Sequence, residues 1–241
     1  MLFKILIGLL ILNSFLSAKT FEEEQNQYKR VKEARKEKID GIKKLFKEKK
    51  IPYPANIFIR IFKFEEKFQV FALNGKKYEL VKEYPICSSS GELGPKRQQG
   101  DMQVPEGFYY MHHYNPLSNF HLSLGVSYPN KSDTILKTAK DAGGAIYIHG
   151  DCVTIGCVPL TDNLIKEVYT MAVDAKTNGQ TKIEIHIFPC DFNTEKCQKE
   201  LETYKEHTEF WENIKIGYEY FENNKTLPKI SINAKGEYKF K

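Results

Sequence analysis

Ten residues, IHGDCVTIGC at 148–157, constrain the fold of this chain more than any other stretch. Ala145, Ile146, Tyr147 and Ile148 form a short apolar run that reads as a buried strand ending on His149. Downstream, Leu164, Ile165, Val168, Met171, Ala172 and Ala175 recur at helical spacing, with Thr161 or Asp162 placed to cap the N-terminus and Gly179 just past the end. Between them Gly156 permits a tight turn directly before Cys157. The segment is therefore a strand, a short loop and a helix, and it holds a histidine and a cysteine at either end of the loop.

That pairing suits one kind of chemistry. A free thiol with a pKa near 8.5 is mostly protonated at neutral pH and needs an imidazole, a helix N-terminus or both to become a ready nucleophile. His149 supplies the first and the helix after Cys157 the second, while backbone N–H groups around Gly156 are placed to stabilise an oxyanion. Other readings use the same residues. The histidine and cysteines can be ordinary buried residues, or His149, Cys152 and Cys157 can bind a metal, although no fourth ligand stands at a usual zinc spacing.

Three ordered motifs, SSGELGPKRQQGDMQVPEGFYY (89–110), NFHLSLGVSYPN (119–130) and IHGDCVTIGCVPLTD (148–162), resemble the catalytic domain of murein L,D-transpeptidases. The resemblance covers roughly residues 55–190. It is narrowest to a subgroup with a short His-Gly to Gly-Cys spacing, which includes an amidase that detaches a lipoprotein from peptidoglycan. It implies that Cys157 is the nucleophile, that His149 is its base, and that the Gly150 carbonyl orients the imidazole. Where the broader family carries Ser-His-Gly-Cys, this chain has Thr154, Ile155, Gly156 and Cys157, a replacement that the subgroup shares. The implied reaction is acyl transfer on peptidoglycan stem peptides. Its thioester passes to an amine, giving a crosslink, or to water, giving carboxypeptidase or amidase activity, including release of a wall-linked lipoprotein. No cofactor or metal is required. A non-catalytic wall-binding module on the same fold is the alternative from another class.

Lys4, the apolar run from Ile5 to Leu12, and Ser17-Ala18 read as a secretory signal peptide over residues 1–18, which places the protein in the periplasm. Export changes how the five cysteines are read, because an odd number leaves one unpaired in an oxidising compartment. Cys157 is the candidate for the free thiol, with Cys190–Cys197 and Cys87–Cys152 as possible bridges. A Cys152–Cys157 bond would instead mask the nucleophile as a redox switch. A thiol oxidoreductase fits less well, since the usual two-residue spacing between cysteines is missing.

The remaining chain divides into three parts. Residues 19–50 carry twelve basic and seven acidic residues, enough to account for the net charge of +5, and Tyr28, Val31, Ile39, Ile42, Leu45 and Phe46 recur at helical intervals. This is an amphipathic helix whose charged face is either plainly solvated or attracted to an anionic wall or membrane surface. From residue 51 to 190 a catalytic domain is expected. Its strands run over 57–64, 67–73 and 76–84, with an Asn74-Gly75 hairpin, and then over 107–111, 121–126, 145–149 and 182–188. The fold class is β-rich α+β, a sandwich or barrel with flanking helices. Residues 191–241 form a helical extension, whose tail from 222 carries no readable chemistry. No basic stripe interleaved with aromatics points to nucleic acid.

Further polar residues are candidates for binding substrate. Lys96 and Arg97 lie in a Gly/Pro-rich loop and suit a peptide carboxylate. His121 and Tyr128, with Ser123, belong to the second motif and are expected to line the cleft. His112 and His113 should point to opposite faces of a strand, and His186 should sit on the polar face of the last strand. Asp151 and Asp162 flank the site, the latter as a helix cap.

Overall fold

The computed structural model describes residues 19–241, so the expected signal peptide over 1–18 lies outside the described residues. The charged N-terminal segment folds as two helices rather than one. Thr20 caps α1 (Phe21–Gln25) in a reciprocal box with Glu23, and the chain breaks before α2 (Lys29–Glu48). Val31, Ala34, Ile42 and Phe46 form the buried stripe of α2, as their spacing requires. Arg35, on the same stripe, is buried and bonds to Asp174 and Glu22.

The expected antiparallel meander follows as β1 (Ile57–Phe62), β2 (Lys67–Asn74) and β3 (Lys77–Pro85). Then come β4 (Gly107–Asn115), β5 (Ser123–Val126), α3 (Lys131–Leu136), β6 (Tyr147–His149), β7 (Val158–Pro159), α4 (Asp162–Thr177) and β8 (Ile183–Phe188). The extension comprises α5 (Glu195–Leu201), α6 (Thr208–Asn224) and a hairpin of β9 (Ile230–Ile232) and β10 (Tyr238–Phe240). The last twenty residues, without readable chemistry in sequence, thus contribute a strand pair. The short elements α3, β7, β9 and β10 also escaped the sequence patterning.

Eight strands make one mixed sheet in the order β3-β2-β1-β8-β4-β5-β6-β7, with β8 parallel to β1 and antiparallel to β4. The sheet is curled into a half-barrel, and its two edges meet. Just beyond β3, Cys87 N–H donates to the carbonyl of Pro159 in β7 (3.2 Å), and Cys87 is bonded to Cys152. Helix α4 fills the concave side with Ile165, Val168, Tyr169 and Ala172, and α2 packs behind it. Lys82 and Tyr84 of β3 both reach Glu167 of α4 (2.9 Å), fixing that edge of the sheet to the helix.

On the convex side the extension covers what alternation alone would leave exposed. Phe62, Phe108 and Phe188 pack under Trp211, Ile214 and Tyr218 of α6 and Tyr238 of β10. Arg60, also on this side, lies over the rings of Phe71 and Phe221 and pairs with Glu222. The strand face that carries His186, polar by pattern, is covered here, so His186 is a structural residue rather than an exposed one. It is 1% exposed, between Phe58 and Phe108 with ring centroids 4.6 and 4.7 Å away, and its Nε2 has no hydrogen-bond partner.

Burial, reinforced by the charges of Arg60 and Lys182, depresses the His186 imidazole to about 3. The unfolded chain takes up this proton near an ordinary pKa of about 6.5, while the folded chain resists it. Stability is therefore lost progressively as pH falls from about 6.5 toward about 3. The urea midpoint should drop between pH 7 and pH 4, and His186→Leu should flatten that drop. An unchanged slope in a folded His186→Leu protein would show that other groups set it.

Candidate active site

β6 ends on His149, which is 2% exposed. Its Nδ1 lies 2.5 Å from the Gly150 carbonyl. A carbonyl only accepts, so Nδ1 carries the proton and Nε2 keeps its lone pair. Phe120 lies against the ring with centroids 4.8 Å apart. Burial holds the imidazole below its ordinary value, against the opposing effects of the Gly150 carbonyl and the Asp151 charge. At neutral pH it is a neutral base.

Gly150 has no room for a side chain. A Cβ there would stand 2.5 Å from Asp162 Oδ1 and 2.9 Å from the Cβ of His121. Asp162 is not the helix cap. Thr161 caps α4 by accepting from Leu164 N–H, and Asp162 Oδ1 instead accepts the Asp151 N–H (2.9 Å), clamping the loop after the base.

Residues 150–157 return to the sheet through an elbow. Thr154 Oγ1 accepts the Gly156 N–H (3.1 Å) and donates to the Cys157 carbonyl (2.8 Å), a role that the sequence motif did not reveal. Gly156 has φ +128°, and a Cβ would sit 3.0 Å from the Gln103 carbonyl, so both conformation and space require glycine. Its N–H is bonded to Thr154 rather than left free for an oxyanion. The Cys157 thiol donates to the Ala145 carbonyl (3.6 Å) and accepts from Tyr147 N–H (3.4 Å). Ala145 is turned out of β6 with φ +54°, which shortens the expected strand and aims that carbonyl at the sulfur.

Cys157 is the free cysteine; Cys87–Cys152 and Cys190–Cys197 are bridged. Cys152 is therefore unavailable as a metal ligand and does not mask Cys157. Burial pushes the Cys157 thiol up, countered by the Tyr147 N–H and the Lys96 charge. No hydrogen bond joins it to His149 among the described residues. The pair as seen is a neutral thiol and a neutral imidazole.

Four residues expected to bind substrate have structural partners. Lys96 is 4% exposed and bonds to Asp101 and the Gln98 carbonyl (2.9 Å), acting on the thiol only through its charge. Arg97 pairs with Asp133 (3.1 Å) and lies over Phe210. Tyr128 donates to the Ala142 carbonyl (2.8 Å) and is buried. His121 packs on Gly150 with Nδ1 3.8 Å from Asp162, and its carbonyl is held by Arg30. Of the four, His121 alone touches the base's loop, and none presents a free charge to the thiol. A bulge between Met111 and His113 also sets His112 and His113 side by side, centroids 6.3 Å apart, rather than on opposite faces.

A cavity of about 240 Å³ opens onto Cys157. Its walls come from Ile61, Lys63, the 88–93 loop, Val104 and Val158, and from Glu200 and Tyr204 of the extension. Glu106 holds these parts together. Fully buried, it accepts from Lys63 Nζ (2.9 Å), Gly94 N–H (2.8 Å) and Trp211 Nε1 (2.7 Å).

The L,D-transpeptidase catalytic domain (YkuD) profile matches residues 60–185. The protein named "Putative L,D-transpeptidase YafK" of Escherichia coli (strain K12) is 34% identical over 184 residues, 76% of this chain and 72% of that protein. This chain belongs to the L,D-transpeptidase catalytic domain family. The matched span runs from β1 into β8 and contains both His149 and Cys157, while α1, α2 and the extension lie outside it. Among solved structures, the helical cell shape determining protein Pgp2 from Campylobacter jejuni aligns with a TM-score of 0.47 and 22% identity, over 64% of this chain and 56% of that one. Bdellovibrio bacteriovorus Bd1075 aligns at 0.42 and 24%, over 63% and 56%. The chain thus spans under two thirds of either structure.

Iodoacetamide should add one label to the mature, non-reduced L,D-transpeptidase-family protein, at Cys157. The labelling rate should rise with pH through a midpoint above the ordinary thiol value of about 8.5, since burial opposes the thiolate. A midpoint well below 8, measured by mass spectrometry across pH, would show a resting thiolate instead.

Proposed function

We propose that this protein is a periplasmic cysteine acyltransferase acting on peptidoglycan stem peptides, with Cys157 as nucleophile and His149 as base. The observation that carries this reading is the conjunction, within the family's matched span, of a free thiol at a cavity mouth and a buried neutral imidazole whose tautomer is set by Gly150. Substrate binding draws Sγ from the Ala145 carbonyl toward His149 Nε2, a contact of the kind that tightens only in the loaded site. The imidazole takes the thiol proton as sulfur attacks the peptide carbonyl. With Gly156 N–H occupied by Thr154, the Cys157 N–H serves as the oxyanion donor; a lost donor costs roughly 10²-fold or more in rate. His149 then returns its proton to the leaving amine, and the thioester passes to an acceptor amine or to water. The family's stem-peptide substrate supports this choice of acyl donor; the acceptor is read from the product.

Purified muropeptides incubated with mature protein should yield crosslinked or shortened peptides by mass spectrometry. Cys157→Ala should abolish them, and His149→Ala should slow turnover by roughly 10²- to 10⁴-fold, the usual contribution of a general base. Cys152→Ser should retain substantial activity, because its sulfur serves the tether. Turnover that survives in Cys157→Ala would sink the mechanism.

The pH profile follows from a neutral pair. Protonation of His149 removes the base, and its pKa is depressed by burial. The acid limb of kcat/KM should therefore fall below the ordinary imidazole value of about 6.5. A limb at or above 7 would assign the limiting titration to another group.

A further inference from the structure

We infer that the C-terminal extension completes the substrate cavity and selects a peptide arm bearing a free ammonium, with Glu200 and Glu92 as its specificity-determining residues. This rests on the acyl-transfer reading above and adds a wall that lies outside the family's matched span. Residues 60–185 supply Cys157 and most of the cavity, whereas Glu200 and Tyr204 come from the segment after β8.

That segment is held in place. The Cys190–Cys197 bond ties α5, which carries Glu200, to the end of β8. Glu106 couples the cavity side of the sheet to α6 through Trp211. The extension is therefore a fixed part of the wall.

Charge decides what the cavity takes. Lys63 points its ammonium inward to Glu106 and to the Gly94 and Val104 carbonyls, so its charge is spent within the protein. The other charged lining residues are Glu92 and Glu200, and neither has an ion-pair partner among the described residues. Glu200 is half-buried. Glu92, Glu200 and Tyr204 line the same cavity, Glu92 at its exposed rim. A half-buried carboxylate without a cation favours a ligand that supplies one. A spectator ammonium on the peptide fits; an acylated amine, as in an already crosslinked arm, brings bulk without charge.

The test measures binding by calorimetry on full-length mature Cys157→Ala protein, with a stem peptide whose side-chain amine is free and the same peptide N-acetylated. Acetylation should weaken binding about fivefold, the size of a partly exposed charge pair. Adding Glu92→Gln and Glu200→Gln should cut that ratio below twofold, with the circular dichroism spectrum unchanged. Equal affinity for both peptides, a ratio that survives both substitutions, or no binding of either peptide would overturn the inference. Turnover by the wild-type protein without amine discrimination would discard this subsite alone. Discrimination in binding without any turnover would keep the subsite and discard the acyl-transfer reading.

Discussion

Closure of the curled sheet is the constraint on which the rest of the molecule depends. β3 and β7 are opposite edges of one eight-stranded sheet, yet the chain just past β3 bonds to Pro159 and to Cys152. α4 makes that curl possible by filling the concave side, and its own start, through Asp162, sets the loop between His149 and Cys157. An edge left open would expose unpaired backbone groups; here the tethered edge becomes the frame of the site. The Cys87–Cys152 bond closes a 65-residue separation and restrains the loop between His149 and Cys157 while leaving the Cys157 sulfur free.

The electrostatics of the site follow from the same burial. Removing His149 and Cys157 from water disfavours the charged form of each, so the resting pair is neutral. Such a pair holds no resting thiolate. On the proposed mechanism, proton transfer waits for a substrate carbonyl to be in place. Gly150, Thr154 and Asp162 then act as positioning groups: one fixes the imidazole tautomer, one braces the elbow, and one clamps the loop between them.

Much of this was legible in the sequence, for physical reasons. Period-two and helical patterning found the long elements, Asn74-Gly75 located the hairpin, and an odd cysteine count, read with an expected export, pointed to both bridges and the free thiol. Local signals did not reach what depends on distant partners. Arg97 looked free because Asp133 is 36 residues away, and whether His186 was structural or exposed stayed open because the covering helix comes after it in the chain. Alternation failed at Met111–His113, where a bulge changes the register. Phe120 and Thr154 lay within quoted motifs, but their contacts with the imidazole and the elbow are tertiary and have no spacing of their own.

The most direct test of this account is intact-protein mass spectrometry of the mature, non-reduced protein quenched in acid during turnover of muropeptides, with proteolytic mapping of any adduct. The expected result is a stem-peptide thioester on Cys157, with both disulfides intact. Product formation with no adduct on Cys157, or an acyl group mapped to another residue, would contradict it.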